Sequence, residues 1–188
     1  MGRMLEAFLV STGVVALAEM GDKTQLLALL LAARYRRALP VVAGIFVATL
    51  ANHAIAALLG AGIAEALGRE ALRWILGLSF LAMAGWTLIP DRIDGQEKVA
   101  SRFGAFSATL IAFFLVEIGD KTQIATVALA ANYASVTAVV AVTTLGMMIA
   151  DVPAVYLGER ILRRIPMRLL QRIAAAAFVV LGLLVLLA

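Results

Sequence analysis

Two copies of one charged heptapeptide, ExGDKTQ, lie at residues 19–25 and 117–123 of a very apolar chain. Their carboxylates are Glu19 and Asp22 in the first copy and Glu117 and Asp120 in the second. Carboxylate and amide oxygens are the ligands that hard cations such as Mg²⁺, Ca²⁺ and Mn²⁺ prefer. The chain has no cysteine, which argues against zinc or copper as the main ion that the site binds. The paired motifs therefore predict a site for a divalent cation.

The spacing within the motif predicts how its side chains are arranged. On a continuous helix, Glu19, Asp22 and Lys23 share one face, Gln25 lies beside Asp22, and Thr24 points elsewhere. The equivalent residues of the second copy are Glu117, Asp120, Lys121, Thr122 and Gln123. Each motif would then offer two carboxylates and one amide to a single point. We expect Glu19, Asp22, Gln25, Glu117, Asp120 and Gln123 to bind the metal, and the lysines and threonines to support them.

A purely structural interpretation pairs the glutamate of each motif with the lysine four residues later. That scheme neutralises only half of the acidic charge, because Asp22 and Asp120 keep no partner. The hydroxyls of Thr24 and Thr122 could bind back to their own helix, as threonines in membrane helices commonly do. Their role therefore stays open between structure and function.

Composition defines the surroundings of these charges. Of the 188 residues, 63% are hydrophobic and 15% are charged, and the mean hydropathy is +1.00, which is typical of a membrane protein rather than a soluble domain. Apolar runs long enough to cross a hydrocarbon core of about 30 Å lie at 4–33, 39–64, 72–89, 103–131, 135–157 and 169–188. We expect an all-α polytopic membrane protein with six transmembrane helices. The first and fourth runs exceed a straight crossing, so we expect tilt or a local break in each, with Gly21 and Gly119 as the obvious places for a break.

The similarity between the two halves extends beyond the motif. A shift of 98 residues superposes Glu19 on Glu117 and Phe80 on Phe178 without a gap. The pattern predicts two three-helix repeats, at 1–89 and 103–188, joined by a linker at 90–102. Because each repeat has an odd number of spans, the second must enter the membrane from the opposite side, as in inverted-repeat transporters. The two motifs would then meet near the midplane.

Basic residues predict the orientation. Eleven of them follow the first, third and fifth spans: Arg34, Arg36, Arg37, Arg92, Lys98, Arg102, Arg160, Arg163, Arg164, Arg168 and Arg172. Only Arg3, Arg69 and Arg73 lie on the other side. The positive-inside rule places the larger group and the linker in the cytoplasm and both termini outside. The excess of basic residues therefore predicts topology rather than nucleic-acid binding.

A few further polar residues lie within the predicted spans. Asn52 and His53 are in the second span, and the repeat shift puts Asp151 of the fifth span at the position of His53. An ionisable residue at one equivalent position in both halves favours proton handling or support of the cation site. A buried histidine that is only hydrogen-bonded is the structural alternative.

The paired motif, one copy per repeat, resembles the signature of small divalent-cation/proton antiporters, which include bacterial manganese exporters and the calcium/manganese transporters of Golgi and chloroplast membranes. The resemblance covers essentially the whole chain. It implies export of Mn²⁺ or Ca²⁺ in exchange for protons, with Glu19, Asp22, Glu117 and Asp120 at the core of the site. The short linker matches prokaryotic members, which implies an inner-membrane protein. The cation would be cargo, with no prosthetic group and no enzymatic activity.

Two other classes of protein could use the same residues. A passive cation channel selects ions with rings of carboxylates, but it needs weak sites along a continuous path. A metal-dependent intramembrane phosphatase would need a buried arginine or a helix N-terminus beside a serine nucleophile, and no arginine lies centrally in any predicted span. Apart from the bilayer, cations and protons, the sequence predicts no partner, and it leaves the oligomeric state open.

Overall fold

The computed structural model describes residues 12–13, 15–20, 22–89, 104–133, 135–158 and 167–187. All regular secondary structure in these ranges is helical, which confirms the predicted all-α class. The bounded helices are α1 (Lys23–Tyr35), α2 (Ala38–Ala66), α3 (Arg69–Thr87), α4 (Ala105–Glu117), α5 (Lys121–Asn132), α6 (Val136–Leu157) and α7 (Met167–Leu187). Residues 15–19, which end at the glutamate of the first motif, are also helical.

The helix starts repeat along the chain. Helices α1, α2 and α3 begin at residues 23, 38 and 69, and α5, α6 and α7 begin at residues 121, 136 and 167. Each pair of starts differs by 98 residues, the same shift that superposes the two sequence halves. The local structure thus follows the internal similarity of the sequence. The boundaries of the repeats and their inverted orientation stay predictions.

Each charged motif lies at an interruption between two helices. Helical residues 15–19 end at Glu19 and α1 begins at Lys23, while α4 ends at Glu117 and α5 begins at Lys121. Gly119 has a φ of 77°, a conformation that glycine adopts without the steric cost of a Cβ. The predicted break is confirmed at the second motif, whereas Gly21 lies outside the described residues.

This interruption corrects one expectation. The predicted single helical face for Glu19, Asp22 and Lys23 is wrong, because the helix does not continue through the motif. Instead, the backbone N–H of Asp22 donates to the carbonyl oxygen of Glu19 at 3.0 Å, and Asp120 repeats this bond with Glu117 at 3.0 Å. The aspartate of each motif therefore belongs to the helix that follows the break, and the glutamate belongs to the helix before it.

Two of the described helices have the length and composition of a membrane span, namely α2 with 29 residues and α6 with 22. Helix α4 and residues 171–187 are apolar but shorter. The helix breaks divide the first and fourth predicted spans into short pieces, and α3 begins with the charged residues Arg69, Glu70 and Arg73. The full set of six spans stays a prediction.

Helix α2 is the central element of the fold and brings the site together. It packs against α4, α5 and α6, while α3 packs against α7. Glycines permit this close approach: a Cβ at Gly44 would lie 2.8 Å from the carbonyl oxygen of Phe106 in α4, and a Cβ at Gly60 would collide with the carbonyl of Val127 in α5. The polar residues in the middle of α2 are consequently held against the second motif.

Candidate cation site at the two helix breaks

The aspartates of the two motifs occupy the same structural position. Asp22 precedes α1 with φ −79° and ψ 169°, and Asp120 precedes α5 with φ −79° and ψ 164°. Both are therefore N-cap residues, a position where aspartate is favoured because the first helical N–H groups lack intrahelical acceptors. The Asp120 carboxylate accepts a hydrogen bond of 2.6 Å from the backbone N–H of Lys121. Two helix N-termini thus present carboxylates to the site.

The lysines of the motifs form ion pairs that cross between the two copies. Lys121 Nζ donates to Asp22 Oδ1 at 2.6 Å, and Lys23 Nζ lies 3.4 Å from Asp120 Oδ2. The alternative in which each lysine neutralises the glutamate of its own motif is therefore wrong. The two pairs are related but unequal, since the side chain of Lys121 is 4% exposed and that of Lys23 is 25% exposed.

Glu117 is held by two side chains of α2. Its Oε1 accepts a hydrogen bond of 2.5 Å from the Thr49 hydroxyl, and its Oε2 accepts one of 2.8 Å from Asn52 Nδ2. Asn52 also donates to the carbonyl oxygen of Phe114 at 3.1 Å. The sequence reasoning missed Thr49. Its spacing from Asn52 and His53, at i, i+3 and i+4, is the signal that could have identified a polar face on α2.

Glu19 has a different environment although it is equivalent in sequence. It is completely buried, and neither carboxylate oxygen has a hydrogen-bond partner among the described residues. The repeat shift puts Met147 and Ala150 of α6 at the positions that Thr49 and Asn52 occupy in α2. Neither side chain can donate a hydrogen bond to a carboxylate. The two glutamates of the paired motif are therefore chemically distinct.

The acidic side chains form one electrostatic cluster. Glu19 interacts with Asp151 and also with Asp22, Asp120 and Glu117. Asp151 is fully buried, and within the described ranges its carboxylate oxygens have no hydrogen-bond partner. Mutual repulsion among buried carboxylates favours the binding of cations, whether metal ions or protons.

His53 lies at the equivalent position in α2. It is 1% exposed, and neither ring nitrogen has a hydrogen-bond partner in the part of the chain that the structure describes. The structural alternative of a hydrogen-bonded histidine therefore does not describe its environment here. His53 and Asp151 remain candidates for a supporting or proton-handling role.

Within the described ranges, Thr24 and Thr122 lack the backbone hydrogen bond that several other buried threonines of the chain make. The hydroxyls of Thr109, Thr126 and Thr143 each donate to the carbonyl four residues earlier in the same helix, at 2.7 to 2.8 Å. Thr24 and Thr122 are the second residues of α1 and α5, so the corresponding carbonyl lies in the break. Their buried hydroxyls, like those of Thr12 and Thr144, have no hydrogen-bond partner among the described residues. Thr24 and Thr122 lie two residues after the motif aspartates, so their hydroxyls stay candidates for a supporting role at the cation site.

The two glutamines, predicted to be equivalent ligands, have different contacts. Gln25 is buried, and its Nε2 donates to the carbonyl oxygen of Ala150 in α6 at 2.9 Å. Gln123 Oε1 instead accepts from the backbone N–H of Gly119 at 2.7 Å, which satisfies a donor at the helix break. Gln123 therefore stabilises the interruption in the second motif.

The predicted convergence of carboxylates is only partly visible. In the described part of the chain, no three histidine, aspartate or glutamate side chains approach closely enough to enclose a metal ion. The lysines lie against the aspartates, so a cation bound by Asp22 and Asp120 must displace ammonium groups that already neutralise them. Such a displacement offers a physical link between binding and a change in conformation.

Comparison with known proteins identifies related sequences. A family model described as "Divalent cation/proton antiporter GDT1" matches residues 7–95 and 105–188. A protein of Vibrio cholerae serotype O1 named "Putative manganese exporter" is 51% identical over 181 residues, which cover 96% of this chain and 90% of the relative. No solved structure matches the chain significantly.

Proposed function

The chain belongs to the divalent cation/proton antiporter family GDT1, and we propose that it exports Mn²⁺ from the cytoplasm in exchange for protons, with Ca²⁺ as the next candidate. As a family member it is a transporter and not an enzyme, and the cation is its substrate. The name of the relative from Vibrio cholerae supports Mn²⁺. The observation that carries the proposal is the reciprocal pairing of Asp22 and Asp120 with Lys121 and Lys23.

The proposed ligands are oxygens from both motifs. Asp22 and Asp120 lie at two helix N-termini, and Glu19 and Glu117 are buried beside them. The hydroxyls of Thr24 and Thr122, and the side chain of Gln25, are the next candidates. This is a set of hard oxygen donors, which suits Mn²⁺ and Ca²⁺. Lys23 and Lys121 would act as internal counter-ions whose ammonium groups move away from the aspartates when the metal binds.

Charge balance suggests the exchange ratio. The four motif carboxylates carry −4 and the two lysines carry +2, so the site has a net charge of −2. One divalent cation brings that charge to zero, and so do two protons. Because net charge is costly in a low-dielectric interior, the site should cross the membrane with either one cation or two protons. Asp151 and His53 are the residues that would alter this count.

The proposed architecture supports alternating access. Three-helix repeats at 1–89 and 103–188, inverted with respect to each other, would move around a site near the midplane. The linker at 90–102 would be cytoplasmic and both termini external in a prokaryotic inner membrane. The breaks at the two motifs correspond to the discontinuous helices that form ion sites in other secondary transporters.

A proteoliposome assay tests the proposal. An outwardly directed proton gradient should drive Mn²⁺ uptake, and Mn²⁺ uptake should in turn move protons outwards in the absence of an imposed gradient. The matched control is the double variant Asp22→Asn/Asp120→Asn in the same lipids. Mn²⁺ flux without proton counterflow would instead indicate the passive channel.

A further inference from the structure

The glutamates of the two motifs are identical in sequence and unequal in their contacts. Building on the proposed function, we propose that Thr49 and Asn52 are positioning residues that hold Glu117 as the fixed ligand of the cation site, whereas Glu19 is the movable one. Thr49 and Asn52 lie outside both ExGDKTQ motifs. Their contribution is therefore separate from that of the motif residues.

The hydrogen bonds to Glu117 define the plane of its carboxylate. Thr49 binds Oε1 at 2.5 Å and Asn52 binds Oε2 at 2.8 Å. A carboxylate has about four lone-pair directions, so one donor on each oxygen orients the group and still leaves both oxygens able to contact a cation. Two donors on different oxygens also prevent rotation about the terminal bond of the side chain. Glu117 is consequently orientated before any cation arrives.

The donors are themselves fixed. The second N–H of Asn52 Nδ2 binds the carbonyl oxygen of Phe114, one turn before Glu117 in α4, at 3.1 Å. Thr49 is fully buried, and its β-branched side chain has few available rotamers. Helix α2 packs closely on α4 at Gly44, where a Cβ would lie only 2.8 Å from the Phe106 carbonyl oxygen. The support for Glu117 is therefore part of a rigid helix contact.

Nothing comparable holds Glu19 in the described part of the chain. Its carboxylate oxygens are buried without hydrogen-bond partners. Met147 and Ala150, at the positions equivalent to Thr49 and Asn52, offer no side-chain donor. Hydrogen bonds from neighbouring side chains orient metal ligands in this way, and their loss typically weakens metal binding by about 10- to 100-fold. Loss of the Thr49 hydroxyl should therefore weaken cation binding through Glu117 alone.

The test compares Thr49→Val, which removes the hydroxyl, with Thr49→Ser, which keeps it. In proteoliposomes, Thr49→Val should raise the KM for Mn²⁺ by about 10-fold with little change in maximal rate, and Thr49→Ser should restore the original KM. The matched control is Thr143→Val, another fully buried threonine, whose hydroxyl binds the carbonyl of Val139 in its own helix at 2.8 Å. This control should keep the original KM.

A binding measurement separates the inference from the proposed function. Binding of Mn²⁺ to the detergent-solubilised full chain can be followed by the loss of the electron paramagnetic resonance signal of free Mn²⁺. Thr49→Val should weaken binding in a Glu19→Gln background and should have no further effect in a Glu117→Gln background. An equal effect in both backgrounds, or an unchanged KM for Thr49→Val, would overturn the positioning role. Failure of proton counterflow in the unmodified protein would instead overturn the antiport proposal.

Discussion

The ionic contacts of the motifs are reciprocal, since each lysine binds the aspartate of the other copy. The sequence predicted that the charged motif residues form the site, because charged groups in an apolar chain need a reason to be there, and that role stays a prediction. It did not predict the pairing, because Lys121 and Asp22 lie 99 positions apart and meet only through tertiary packing. The contact of Thr49 with Glu117 was not predicted, for a related reason. A threonine in an apolar helix normally binds its own backbone, and only the fold shows that this one donates to Glu117.

The first prediction concerns the four motif carboxylates. Glu19→Gln, Asp22→Asn, Glu117→Gln and Asp120→Asn should each abolish or severely impair Mn²⁺ transport, because each removes a negatively charged oxygen ligand. Transport into proteoliposomes measures the effect, with size-exclusion profiles to confirm folding. Glu65→Gln is the matched control, since Glu65 is an exposed residue near the end of α2. Near-normal transport by any two of the four variants would contradict the assignment of the site.

The second prediction concerns the unequal ion pairs. Asp22→Asn should lower the thermal unfolding temperature more than Asp120→Asn does. The first variant removes the negative charge that lies 2.6 Å from the buried Lys121 ammonium group. The second removes the charge that lies 3.4 Å from the ammonium group of Lys23, whose side chain is 25% exposed. Removing one partner of a buried pair typically costs about 3–5 kcal/mol. Equal unfolding temperatures for the two variants in the same detergent would show that the difference in burial has no energetic consequence.

At the scale of helices, the breaks connect the motif to the fold. The excess length of the first and fourth apolar runs predicted either tilt or an interruption, and the position of Gly119 predicted where an interruption of the fourth run would lie. Hydropathy could not predict the consequence, which is that Asp120 becomes the N-cap of α5 and Gln123 binds the N–H of Gly119. Periodicity assumes a continuous helix and therefore assigned the motif residues to one face.

The third prediction tests the break itself. Gly119→Ala should lower stability and transport, because a φ of 77° is unfavourable for alanine by about 1–2 kcal/mol. Steric contact is not the cause, since a Cβ at Gly119 would have no atom within 4 Å. Gly119→Asn should be milder, because asparagine tolerates positive φ. Unfolding temperature and Mn²⁺ uptake measure both effects.

A matched control for this variant is Gly62→Ala in α2. A Cβ at Gly62 also has no atom within 4 Å, but Gly62 is an ordinary helical residue. Alanine there should leave stability unchanged or raise it by about 0.5–1 kcal/mol. A similar loss of stability at both glycines would mean that the positive φ of Gly119 is not what the alanine disturbs.

At the scale of the whole molecule, the internal repeat was readable from sequence. The shift of 98 residues that aligns the motifs also relates the starts of three pairs of helices. The different surroundings of the two glutamates could not be predicted from the sequence, because Met147 and Ala150 look like ordinary apolar residues of a membrane helix. Their meaning depends on the knowledge that Thr49 and Asn52 contact Glu117 from the equivalent positions.

The fourth prediction is an exchange that moves no net charge. If two protons replace one divalent cation, Mn²⁺ uptake driven by a pH gradient should not depend on membrane potential. Proteoliposomes with the potential clamped by potassium and valinomycin provide the measurement, at a fixed pH gradient and several potentials. A strong voltage dependence would show another ratio. The double variant Asp22→Asn/Asp120→Asn supplies the background signal.

The unequal surroundings of the two glutamates also bear on the ancestry of the chain. A protein made of one three-helix unit that paired with a second copy of itself would present the same side chains beside both glutamates. Threonine and asparagine beside Glu117, with methionine and alanine at the equivalent positions of the other half, require two copies that can mutate independently. Joining duplicated copies within one gene meets that requirement and keeps the unlike halves together in every molecule. A fused chain can therefore evolve a specialised environment for Glu117 alone, whereas a homodimer of single repeats cannot.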